Sequence, residues 1–126
     1  ASDVYKRQNL TNLTLDDNQI SNTSALSNLT NLAELKLSNN QISDISSLSN
    51  LTNLTQLYLN GNQVNDISIL SGLANLETLW LNNNQISDIT PLPALVRLKR
   101  LYLDGNQISD RTPLDNLKAG GCYIDW

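Results

Sequence analysis

Leucines recur along this chain at a spacing that never slips. Leu10, Leu13 and Leu15 lead to Asn18, and the phrase L-x-x-L-x-L-x-x-N returns every 22 residues, closing on Asn40, Asn62, Asn84 and Asn106. Each unit can be counted from its first apolar position, as Leu51 opens residues 51–72. Positions 4, 7 and 9 are then Leu in all five copies, and position 14 is Ile20, Ile42, Val64, Ile86 and Ile108. Position 20 is Leu26, Leu48, Leu70, Leu92 and Leu114, while position 17 runs Thr23, Ile45, Ile67, Ile89 and then Arg111. Around positions 7 and 9 apolar and polar residues alternate, which is the period of a strand. The asparagine at position 12 follows where the chain must turn. Its amide can bond backbone groups inside the turn, and stacked copies would form a ladder.

The return path has a different signature. Ser43-Asp44-Ile45-Ser46-Ser47-Leu48, or with proline Ser87-Asp88-Ile89-Thr90-Pro91-Leu92, suits an aspartate N-cap on a single turn of 3₁₀ helix. A 22-residue unit has no room for a full α-helix beside a strand and two turns. The pattern therefore predicts an α/β solenoid whose units bury their apolar edges against one another. A short parallel β-sheet would line the concave face, with 3₁₀ turns and loops on the convex face.

Composition agrees. Hydrophobic residues make up 40% of the 126, almost all Leu and Ile, with no Phe or Met, as suits a stack of small identical layers. The length allows one domain. A net charge of −4 argues against nucleic acid, which selects a basic surface. The charge is unevenly spread: residues 9–96 set seven acids against Lys36 alone, whereas residues 97–126 hold five basic and four acidic side chains. No stretch approaches the roughly 20 apolar residues of a membrane span, so membrane insertion is not expected. Cys122 is the single cysteine, which rules out an internal disulfide.

The register also delimits the repeats. Residues 9–116 hold the five units, but Arg7 stands where later units have Leu29, Leu51, Leu73 and Leu95. The register breaks beside Asp3-Val4-Tyr5-Lys6-Arg7-Gln8, which looks like the translation of a sequencing-adapter end. Residues 1–8 are accordingly expected to be a non-native scar on a gene truncated upstream, a metagenomic fragment, and are set aside from fold reasoning.

The unit L-T-N-L-x-x-L-x-L-x-x-N-Q-I-S-D-I-S-x-L resembles the bacterial leucine-rich repeats of the internalin type. Leu51-Thr52-Asn53-Leu54, Leu57-Tyr58-Leu59 and Asn62-Gln63-Val64-Asn65-Asp66-Ile67 carry the match in one copy. The resemblance implies a binding module belonging to a longer surface or secreted protein. It also implies that residues 117–126 end the array, with Leu117 to Asp125 as a terminating strand. Cys122 and Ile124 would face inward there, one residue out of phase, with Gly121 absorbing the shift. Internalin-type proteins carry a helical cap before the first repeat, and nothing here matches it. The first repeat would then offer Leu10, Leu13, Leu15, Ile20 and Leu26 as an apolar edge for weak end-to-end self-association. Arg111, in place of an inward aliphatic, would splay the back or reach solvent.

Chemistry has little to work with. The chain has no histidine, which removes Ser–His–Asp and Cys–His nucleophile arrangements and histidine-built zinc sites. No phosphate-cradling glycine loop occurs. Asp44, Asp66, Asp88 and Asp110 recur without the glycine-rich nonapeptide of calcium-binding repeats, and capping accounts for them. No enzyme, metal or cofactor is expected.

The positions that vary carry more information. Between the two strand leucines the outward residue runs Thr14, Lys36, Tyr58, Trp80, Tyr102, and two positions earlier it runs Asn12, Glu34, Gln56, Thr78, Arg100. Stacked strands would align Tyr58, Trp80 and Tyr102 as an aromatic stripe flanked by Lys36, Glu34 and Arg100, the composition of a protein-binding hot spot. Truncating Tyr58 and Trp80 is expected to abolish partner capture with melting nearly unchanged. Structural spacer repeats and a carbohydrate platform are the alternatives.

Overall fold

The computed structural model describes residues 9–126. Six three-residue strands form one parallel sheet in chain order: β1 (Asn12–Thr14), β2 (Glu34–Lys36), β3 (Gln56–Tyr58), β4 (Thr78–Trp80), β5 (Arg100–Tyr102) and β6 (Tyr123–Asp125). From β1 to β5 the register advances by one repeat, so Leu13, Leu35, Leu57, Leu79 and Leu101 lie side by side. The step to β6 is one residue longer, pairing Leu101 with Ile124. Gly121, at φ +97, lies in this return path.

Each strand is followed by a turn built on position 11. That position adopts a left-handed backbone in every repeat: Asp17 (φ 60), Asn39 (φ 59), Gly61 (φ 73), Asn83 (φ 58) and Gly105 (φ 74). Only Gly, Asn and Asp visit this region cheaply, which explains the restriction to those three residues. Glycine here also makes room. A Cβ on Gly61 would lie 2.2 Å from Asn39 Oδ1, and one on Gly105 would lie 2.2 Å from Asn83 Oδ1.

The position-12 asparagines then tie the layers together. Asn62 Nδ2 donates to Leu59 O in its own repeat (2.9 Å) and to Leu37 O in the preceding one (3.0 Å), while its Oδ1 accepts the Ile42 N–H (3.0 Å). Asn40, Asn84 and Asn106 repeat the arrangement. Asn18 reaches only its own carbonyls, of Leu15 and Asp16.

On the convex side 3₁₀ turns span Ser24–Leu26, Ser46–Leu48, Ser68–Gly72, Leu92–Ala94 and Thr112–Leu114. The aspartates sit one residue before the formal N-cap in most copies. Asp44 Oδ1 accepts the Ser46 N–H at 2.9 Å, and Asp66 does the same for Ser68, whereas the N-cap residues Ile45 and Ile67 turn inward and are buried. A short α-helix, α1 (Asp115–Ala119), follows the last 3₁₀ turn. The terminating strand is thus shorter than the resemblance implied, because Leu117, Lys118 and Ala119 are helical.

The core is a column of aliphatics between the two faces, with Leu35, Leu57, Leu79 and Leu101 fully enclosed. Burying each such leucine contributes about 2 kcal/mol. The ends are finished differently. At the N-terminal end Leu26 is buried, contrary to expectation, while Leu10, Leu13, Leu15 and Ile20 are half-buried against the core. Thr23 occupies the inward place of an aliphatic and satisfies its hydroxyl with the Ser47 hydroxyl. At the other end Arg111 stays exposed and lays its guanidinium over the Trp126 ring, 4.1 Å from the centroid. The back does not splay there, since Leu114 is 2% exposed. Cys122 is buried, and burial pushes its thiol pKa up, which opposes a reactive thiolate.

Candidate functional site

In-register parallel pairing places the same repeat position of successive strands about 4.8 Å apart. Two outward columns therefore cross the concave face. One aligns Thr14, Lys36, Tyr58, Trp80, Tyr102 and Asp125; the other aligns Asn12, Glu34, Gln56, Thr78, Arg100 and Tyr123.

The aromatic side chains meet. Ring centroids are 5.6 Å apart for Tyr58 and Trp80 and 4.2 Å apart for Trp80 and Tyr102. The run continues to Tyr123, whose ring lies 5.9 Å from that of Tyr102 although it stands in the neighbouring column. Tyr58, Trp80 and Tyr102 are half-buried, because each ring covers part of the next; Tyr123 is 57% exposed. Tilted packing of this kind adds about 1 kcal/mol per pair beyond burial.

The flanking charges divide. Lys36 Nζ lies 5.4 Å from the Tyr58 ring centroid and 3.4 Å from Glu34 Oε1, so Lys36 and Glu34 join the aromatic run at its N-terminal end. Tyr58 Oη donates to Gln56 Oε1 at 3.1 Å, which fixes that ring's tip. Arg100 is exposed and, among the described residues, makes no ring contact or ion pair. It stands beside Tyr123 in the register rather than against the stripe. A third row lies just beyond the strands: Asp16 Oδ1 accepts the Ser38 N–H, Ser38 Oγ donates to Asn60 Oδ1, and Asn82 Oδ1 is buried with no partner.

Tyr123 is the member of this surface that repeat counting misses. A strict 22-residue step puts it in phase with the inward leucines. The 23-residue step at β6 turns it outward, and the glycine pair before Cys122 is the signal for that slip.

On the convex face, backbone hydrogen bonds from Ser46, Ser68 and Thr90 hold the carboxyls of Asp44, Asp66 and Asp88 below the ordinary aspartate range. The Thr112 hydroxyl, then its backbone N–H, does this for Asp110. Among the described residues no group of three or more His, Cys, Asp or Glu side chains converges on a common point suited to a metal ion, and no helix is long and apolar enough to cross a membrane.

Comparison with known proteins agrees with this geometry. The family profile described as Leucine Rich repeats (2 copies) matches residues 8–50, 30–75 and 52–94, and that described as Leucine Rich Repeat matches residues 97–119. No curated protein matches the sequence. Among solved structures, an internalin (inlF) from Listeria monocytogenes superposes with a TM-score of 0.90 at 40% identity, over 95% of this chain and 35% of that one. Internalin C2 of the same organism gives 0.79 at 48% identity, over 82% and 47%. A leucine-rich repeat protein of Leptospira interrogans gives 0.83 at 31% identity, over 100% and 33%. The chain thus spans between about a third and a half of the length of these relatives. With the repeat register, the ladder and these likenesses in agreement, the chain belongs to the leucine-rich repeat family, in its internalin-like form.

Proposed function

We propose that the concave face docks a protein partner along the aromatic run from Tyr58 to Tyr123, with Lys36 and Glu34 at one end and Arg100 beside the other. Leucine-rich repeats commonly mediate protein–protein interaction, and the observation that supports this reading here is the continuity of the run. Four adjacent strands contribute interlocked aromatic rings to a face whose other positions are polar. Tyr and Trp provide large contact area at small entropic cost, and the stacked strands hold them in place before binding. In this reading the repeats are part of a longer cell-surface or secreted bacterial protein, as the internalin likeness suggests.

Ring packing bears on the alternatives. A sugar stacks on an open ring face, but Trp80 is covered on both sides by Tyr58 and Tyr102. That favours a protein over a carbohydrate ligand. A spacer would have no need of the stripe.

The test is selection of peptides from a displayed random library on the intact chain, followed by affinity measurement against Tyr58→Ala/Trp80→Ala. Loss of both ring contacts of Trp80 costs the fold about 2 kcal/mol, more than a freely exposed stripe would. The comparison therefore includes Leu57→Val, which weakens the core by about 1 kcal/mol without touching the face. Affinity should collapse in the double variant and persist in Leu57→Val. Selected peptides that bind both variants alike would remove the stripe as the site.

A further inference from the structure

The aromatic run has a period as well as a composition. Tyr58, Trp80 and Tyr102 occupy successive layers, with ring centroids 5.6 and 4.2 Å apart. Tyr58 and Tyr102 are therefore two strand spacings apart, roughly 9.6 Å. A polyproline II helix repeats every three residues, at about 9.3 Å. Two turns of α-helix cover about 10.8 Å, and a β-strand returns to the same face every ~6.7 Å. Of these conformations, polyproline II keeps step best with the rings when laid across the strands.

Hydrogen bonding selects the same conformation. Tyr58 Oη is committed to Gln56 Oε1. The indole N–H of Trp80 has no acceptor among the described residues, and Trp80 is only half-buried. It is free to donate to a ligand carbonyl. An α-helix uses its carbonyls internally, whereas polyproline II makes no internal hydrogen bonds and offers all of them. A segment that sets residues i and i+3 on Tyr58 and Tyr102 carries the carbonyls between them over Trp80.

Charge completes the match. Within their own layers Tyr58 is flanked by Gln56 and Asn60, and Trp80 by Thr78 and Asn82, all neutral. Charges gather in the two layers before, where Asp16, Asp17 and Glu34 face Lys36 alone. Lys36 already lies 3.4 Å from Glu34 Oε1, and no cation among the described residues pairs with Asp16 or Asp17. These aspartates stand two layers before Tyr58, again about one polyproline II turn.

We infer that the occupant of the concave face is a proline-rich segment in the polyproline II conformation, running across the strands. Its prolines, three residues apart, meet Tyr58 and Tyr102, and a basic residue three positions further meets Asp16 and Asp17. The inference rests on the reading of this face as a protein-docking surface and narrows it to one conformation and one charge pattern. Such a segment is already stiff, so docking costs it little entropy.

The isotope-labelled full chain is titrated with the peptide Lys-Ala-Ala-Pro-Ala-Ala-Pro and with the reversed sequence, and fluorescent copies give affinities by polarisation. The chain has two tryptophans, and Trp80→Phe assigns the Trp80 indole signal. One of the two peptide orders should shift that signal and leave the Trp126 signal in place. Exchanging both prolines for alanine, or setting them four residues apart, should weaken binding about tenfold or more. Glu in place of Lys should weaken it about fivefold, and Asp16→Asn with Asp17→Asn should erase that difference. Trp80→Phe keeps a ring and loses the donor, for a loss of about fivefold. If neither order moves the Trp80 signal, or the alanine and respaced peptides bind as well, the inference falls. Ligands from the random library then separate the two failures. Dependence on Tyr58 and Trp80 would keep the face as a docking surface with another occupant, and indifference to them would remove both readings.

Discussion

Asn62 serves four backbone groups with one side chain, the Asn60 carbonyl only at 3.4 Å, and they do not depend on it equally. The Leu59 and Leu37 carbonyls each receive a second asparagine amide, from Asn84 and Asn40 respectively. The Ile42 N–H has only Asn62 Oδ1. Asn62→Ala therefore orphans one buried donor and removes three further bonds, one of them long, at a cost of about 2–4 kcal/mol. Asn18→Ala removes only bonds that stay within its own exposed turn and should cost about 1 kcal/mol or less. Urea unfolding of the two variants measures the contrast; equal losses would mean that the interlayer bonds contribute nothing. The ladder itself was legible from residue identity at a fixed spacing. The left-handed position before it was equally visible in Asp17, Asn39, Gly61, Asn83 and Gly105. It becomes a constraint only once a positive φ is asked of it.

The convex turns give the element scale its pH dependence. Their aspartates are held below the ordinary range by hydrogen bonds formed in the folded state. The stabilisation is therefore complete above the ordinary aspartate pKa and is lost as pH falls through the depressed values. The carboxylates are exposed and solvent-screened, so each contributes little and the sum is what shows. Melting temperature should hold from neutral to mildly acidic pH and then drop. Replacing Asp44, Asp66 and Asp88 together with Asn keeps the accepting oxygen and removes the titration, so the acid slope should shallow. An unchanged slope would assign the acid sensitivity to other groups. Strand and 3₁₀ periodicity could be read from single repeats, whereas α1 departs from the repeat. Its signals were present in Asp115 at the first turn, Lys118 at the last and Gly120 after it, but a strand assigned by likeness masked them.

Across the whole molecule, what was legible is what repeats. Sheet order, core column and the alignment of Tyr58, Trp80 and Tyr102 all follow from an invariant register. Tyr123 depends on a single 23-residue step, which the glycines before Cys122 signal, and the Arg111–Trp126 contact on long-range packing that no local pattern encodes. The N-terminal layer keeps Leu10, Leu13, Leu15 and Ile20 half-buried rather than enclosed. We propose that this edge drives weak association of the chain. Light scattering should show mass rising with concentration, and a strict monomer at high concentration would exclude it.

The ladder also has a direction. Each ladder asparagine after Asn18 reaches backward to finish the layer before it: Asn40 accepts from Ile20, Asn62 from Ile42, Asn84 from Val64 and Asn106 from Ile86. A ribosome delivers the chain in that same order. Each newly made repeat therefore leaves the exit tunnel with several unmet amides, such as those of Leu37, Asn39 and Ile42, whose acceptors the next repeat supplies. The growing solenoid carries a single unfinished layer at its tip throughout synthesis, and everything behind that tip is already closed.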